Sequence, residues 1–141
     1  MSESGILYDA DNKIIKQYIN DVELKYALSL TERLFRFAIN TFDLLKTIGR
    51  EKDFDVFRYQ LSKSTTSIGA NYEEAQGAFS VKEFASKIGI CLKEAREANY
   101  FLRLILELKI ADENKCQKLV DESEELKNII ATILIKTRKR L

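Results

Sequence analysis

The 141-residue chain contains no proline, no histidine and no tryptophan, and only five glycines and two cysteines. Each scarcity removes something. Without proline, and with so few glycines, the chain has little to punctuate it, so long helices are favoured. Without histidine it lacks the commonest general base and the commonest metal ligand. Glu94 and Glu97 have the spacing of the Glu-x-x-His pairs that line di-iron bundles, but no histidine follows, which leaves carboxylates alone to hold a hard cation. Two cysteines are too few for a secreted disulfide framework, and a metal pair needs more ligands. Cys91 and Cys116 fall on apolar helical stripes and read as free, buried thiols. There is no glycine-rich phosphate loop and no nucleophile elbow, and the serines and cysteines lack an activating base other than Lys or Glu. A signal peptide and an apolar run of about 18 residues are also missing, so the chain is expected in the cytoplasm with no membrane association. These absences together point to a non-enzyme with no cofactor, no metal and no small-molecule substrate.

What is present describes a folded, helical chain. Apolar residues make up 45% and charged residues 32%, a globular rather than a disordered balance. At this length roughly two thirds of the unfolded surface can be buried, enough for one core without metals or disulfides. The 23 basic and 22 acidic residues nearly cancel, and they cancel locally: residues 1–50 hold seven of each sign and residues 51–110 nine of each. Charge alone therefore announces neither nucleic acid nor a membrane surface.

Hydrophobic periodicity divides the chain. Residues 1–28 read as an N-terminal extension, with Asp11 placed to cap a short helix whose apolar face is Ile14, Ile15, Tyr18 and Ile19. From Ser29 the spacing sharpens into four stripes at alternating intervals of four and three. The first is Leu30, Leu34, Phe37, Thr41, Leu44 and Ile48. The second, with Asp53 as the expected cap, is Phe57, Leu61, Ser64, Ile68, Asn71 and Ala75. The third opens on a capping box, Ser80 with Glu83, and runs Phe84, Ile88, Cys91, Ala95, Ala98, Leu102 and Ile105. The fourth, capped by Asp112, is Cys116, Leu119, Ser123, Leu126, Ile130, Ile133 and Thr137. Its acids crowd the start and its bases (Lys136, Arg138, Lys139, Arg140) the end, which suits the helix dipole. The connections between the last three helices are short, which predicts an all-α, antiparallel, up-down-up-down four-helix bundle over residues 29–141.

The most unusual stretch is Ser67-Ile68-Gly69-Ala70-Asn71-Tyr72-Glu73-Glu74-Ala75. Asn71 falls on the core stripe, and Gly69 sits in the helix interior, where it costs about 1 kcal/mol against Ala. The favoured reading is a polar network in which Asn71 and Glu74 bond to a facing helix, with Gly69 permitting close approach. Such a network fixes register at some cost in stability. The competing reading is a ligand site inside the bundle.

Residues 57–106 resemble the bacterial four helix bundle protein family, also called the 23S rRNA-intervening-sequence protein family. The resemblance rests on Gln60-Leu61, on Ser67-Ile68 with Asn71 and Glu74, on Lys82-Glu83-Phe84, and on Lys93-Glu94-Ala95-Arg96-Glu97. It implies a small bundle that forms homopentamers, with Gln60, Ser67, Asn71, Glu74, Glu94 and Glu97 as the family motif. It also implies a distant similarity to the accessory protein of diversity-generating retroelements, a basic bundle that acts with nucleic acid. A nucleic-acid surface on this chain would have to be built from Lys63, Lys87, Arg103, Lys136, Arg138, Lys139 and Arg140.

The apolar residues also exceed what one core requires. Tyr100 to Ile110 is apolar nearly all round, helix four adds Val120, Ile129, Leu134 and Ile135, and helix one adds Phe35 and Phe42. A monomer would expose a large apolar patch, so the expected partner is another copy of the chain in a closed ring, with RNA or DNA the alternative partner.

Overall fold

The computed structural model describes residues 21–141, with side chains from residue 30 onwards. The short helix expected after Asp11 lies outside the described residues. Among those described, four α-helices and no strand occur: α1 (Asp21–Leu45), α2 (Asp55–Ala75), α3 (Val81–Leu108) and α4 (Glu113–Arg138). The first helix is already present at Asp21, the first described residue, ahead of the Ser29 start read from periodicity. No proline or glycine stands between Asp21 and Ser29 to stop a helix there.

The four stripes become one core. Leu34, Phe37, Thr41 and Leu44 of α1, Leu61, Ser64 and Ile68 of α2, Ile88, Cys91, Ala98 and Leu102 of α3, and Cys116, Leu126 and Ile130 of α4 are all buried. Each large side chain buried this way contributes about 1.5–3 kcal/mol. Two stripe positions are corrected. On α2 the core site goes to Tyr72, 2% exposed, while its neighbour Asn71 is only half-buried. On α4, Ile129 and Leu134, expected on the outside, are 7% and 5% exposed and belong to the core. Tyr72 and Leu134 each lie one turn on from a buried stripe residue, Ile68 and Ile130, so at 3.6 residues per turn they fall back on the core side.

Two of the three expected caps, Ser80 and Asp112, open their helices. Ser80 Oγ accepts from the Glu83 N–H at 3.0 Å, and Glu83 Oε1 accepts from the Phe79 N–H at 3.1 Å. The returning bond thus reaches one residue further back than an ideal capping box. Asp112 Oδ1 accepts from the Lys115 N–H at 2.8 Å and opens α4. Lys109, at φ 55°, closes α3 in the left-handed conformation that glycine more often supplies. Asp53 does not cap α2. It sits in a 3₁₀ turn, Lys52–Phe54, and Phe54 precedes α2 without a side-chain cap. The turn is held instead by Arg58, which donates to Asp55 Oδ1 at 2.8 Å and to the Gly49 carbonyl.

Candidate functional site

Four of the six motif residues lie on α2, at 60, 67, 71 and 74. Those intervals return to the same face of a helix. The other two, Glu94 and Glu97, are one turn apart on α3. Core packing seats the two helices side by side: the Cys91 thiol lies 3.5 Å from the Ile68 carbonyl, and the Phe57 and Phe101 rings meet edge to face at 6.2 Å. The α2/α3 seam therefore collects the motif on the rim of the core rather than inside it.

At one end of the seam Lys87 Nζ donates to Glu74 Oε1 at 2.7 Å. That bond raises the lysine's pKa, but the pair is exposed and solvent screens it. Asn71 Nδ2 donates to the Ser67 carbonyl at 2.9 Å and to Ser67 Oγ at 3.0 Å, both within α2. The expected bond from Asn71 to a facing helix is thus replaced by a local one, as short amide side chains favour. Gly69 is not a close approach either. A Cβ placed there would stand 3.9 Å from the Leu34 Cβ, an ordinary contact.

Glu94 and Glu97 carry the seam's unresolved electrostatics. Both side chains are half-buried, and Glu94 Oε1 and Glu97 Oε2 are shielded from solvent without a hydrogen-bond partner. Burial first, then the neighbouring Glu97, push the Glu94 carboxyl above its ordinary value, while Lys63 and Lys93 pull it back. Gln60 lies half-buried further along the seam. Two carboxylates can accept a cationic group, but among the described residues no set of three or more His, Cys, Asp or Glu is arranged to hold a metal ion.

One cross-helix polar bond of the core was not legible in the motif. Asn99 of α3, 3% exposed, donates to Ser123 Oγ of α4 at 2.9 Å and accepts from Arg103 Nε at 2.9 Å. Ser123 on an otherwise apolar stripe was the signal, since a buried hydroxyl calls for a partner.

The seven basic candidates do not share a surface. Lys63 and Lys87 line the α2/α3 seam. Arg103 lies on the α4 side of α3, its guanidinium 5.9 Å from the Tyr100 ring centroid. Lys136, Arg138, Lys139 and Arg140 are exposed at the end of α4. The cysteines are free and buried, and burial pushes the Cys91 thiol up to about 12 and that of Cys116 up to about 11. No helix among the described residues is long and apolar enough to cross a membrane.

Comparison with known proteins agrees with the motif. No curated protein matches this chain. A solved structure from Bacteroides thetaiotaomicron, a protein of unknown function from the S23 ribosomal protein family, is similar at 30% identity with a TM-score of 0.68. The alignment covers 74% of this chain and 97% of that one. The family model described as 23S rRNA-intervening sequence protein matches residues 26–132, most of the chain and all of the α2/α3 seam. The chain belongs to the 23S rRNA-intervening sequence protein family.

Proposed function

We propose that this protein is a non-enzymatic interaction module of the cytoplasm that assembles with copies of itself. In this reading the helices run antiparallel, up-down-up-down, and the assembly is a ring-shaped homo-oligomer of five chains. The direction of the helices is supported by residue pairs that step oppositely along neighbouring helices. Ile68 meets Cys91 and Glu74 meets Lys87; Asn99 meets Ser123 and Leu102 meets Cys116. The number five is carried by the family resemblance.

The observation that carries self-assembly is the apolar surface. Phe79 is 75% exposed, Tyr59 66% and Phe35 60%, and Tyr100, Leu108 and Ile135 are each more than half exposed. Single exposed apolar residues are ordinary, but a set of large side chains spread over every helix is not. Light scattering tests the reading: the expected mass is five times 16.3 kDa. A single-chain mass at micromolar concentration overturns self-assembly, whereas another closed number overturns only the count.

The alternative is a nucleic-acid-binding accessory protein. It is favoured by the exposed Arg138 and Lys139 at the end of α4 and by the family's description as 23S rRNA-intervening sequence protein. Mobility shift against structured RNA at two salt concentrations separates the two. Phosphate contacts give affinity that falls steeply with salt.

A further inference from the structure

The helix α1 carries a second apolar stripe on the side turned away from its core residues. Phe35 is 60% exposed, Ile39 39% and Phe42 44%, and Lys46 continues the same line one turn further on. The Lys46 side chain is 79% exposed, and its ion pair with Asp43 is long, at 3.7 Å. The outer face of α3 along the α2/α3 seam offers the opposite character: Ile90, 37% exposed, followed by Glu94 and Glu97 with their two shielded, unpartnered oxygens, and then exposed Tyr100, turned toward Arg103.

The two patches match in length and in level. The stripe from Phe35 to Lys46 and the seam from Ile90 to Tyr100 are each about 15 Å long. Thr65 Oγ1 bonds to Thr41 Oγ1, which sets the level of α2 against α1, and the Ile68–Cys91 and Glu74–Lys87 pairs set α3 against α2. Carried through the antiparallel arrangement, these pairs put Phe35, Ile39, Phe42 and Lys46 level with Ile90, Glu94, Glu97 and Tyr100. In a ring whose axis runs along the helices, equal levels on neighbouring copies meet.

We propose that the α1 stripe of one copy docks on the α2/α3 seam of the next, with Lys46 adding a cation to those of Lys63 and Lys93 beside Glu94 and Glu97. This contact rests on the self-assembly reading above and names the surfaces that make it. The apolar residues gain burial, and the half-buried carboxylates, one of which faces the like charge of the other, gain a further opposite charge. Lys46 arrives beside Tyr100, about 5 Å along the axis from Glu97, within the reach of its side chain. The two patches differ and lie on different sides of the bundle, so each copy can hold one neighbour ahead and another behind. Such a heterologous contact closes into a ring.

Complementation tests the contact directly. Phe42→Asp disables the stripe and Ile90→Asp disables the seam. Each variant is expected to keep its helical circular dichroism and to scatter as a single chain. Mixed one to one, they should form a complex of two chains, because one intact stripe and one intact seam remain. Either variant keeping the wild-type mass, or the mixture staying monomeric, overturns the contact. Charge reversal gives a second readout that leaves apolar packing alone: Lys46→Glu should loosen the assembly, and Glu97→Lys in the same chain should restore it. No restoration removes Lys46 from the interface. A monomeric wild type overturns self-assembly itself, whereas an assembled wild type with unaffected variants overturns only this pair of surfaces.

Discussion

Gly69→Ala is expected to stabilise the protein. Gly69 lies in the middle of α2, where glycine costs about 1 kcal/mol relative to alanine because more backbone freedom is lost on folding. A glycine inside a helix invites the opposite expectation, that a neighbouring helix presses against it and leaves no room for a methyl group. The geometry decides between them. The added Cβ would lie 3.9 Å from the Leu34 Cβ, at van der Waals distance, so nothing has to move. The backbone is not in the left-handed region either, so alanine adopts the same conformation without strain. The expected gain is about 1 kcal/mol, a rise in Tm of about 3 °C for a domain of this size. Urea unfolding followed by far-UV circular dichroism should show a higher midpoint with an unchanged slope. A lower midpoint would refute the reasoning. The same loss in the Phe42→Asp background would place the fault in the packing of α1 on α2, not in contact with another copy.

Lys109→Gly should also stabilise, by up to about 1 kcal/mol, because φ 55° is strained for lysine and free for glycine; an unchanged Tm would show that the lysine makes a compensating contact. Asn99→Ala should cost about 1–3 kcal/mol in thermal unfolding, whereas Asn71→Ala should cost well under half as much, because one amide links two helices in the core and the other bonds within its own turn. Thiol-reactive reagents at pH 8 should label Cys91 and Cys116 only after denaturant is added; fast labelling of the folded protein would refute their burial. Because the Cys91 thiol rises from 9.0 to about 12 on folding, it adds no pH dependence below pH 9, and stability should fall as pH climbs from there toward 12. Arg138→Gln with Lys139→Gln should lower stability by less than about 1 kcal/mol, the size of a helix-dipole effect, while a large, salt-dependent loss of RNA affinity would make those residues nucleic-acid contacts. The double substitution is cleaner than truncation after Ile135, which would also remove the buried Thr137.

The sequence by itself determined the helices, most of the core and the family. Period and composition are local properties, and a stripe such as Leu30, Leu34, Phe37, Thr41, Leu44 has a single way to bury itself. Ser80 and Asp112 announced helix starts because capping needs only a side chain and the backbone a few residues on. The sequence could also place Gln60, Ser67, Asn71 and Glu74 on one face of one helix. It could not say what lies across from that face. Only tertiary structure decided that Tyr72 turns into the core in place of Asn71, and that Ile129 and Leu134 are buried beside the expected stripe. It alone joined Asn99 to Ser123, 24 residues away, and left one oxygen each of Glu94 and Glu97 shielded and unpaired. Periodicity fixes the direction of a side chain relative to its own helix axis. Its neighbours depend on the rotation and offset of a second helix, which the whole core sets at once.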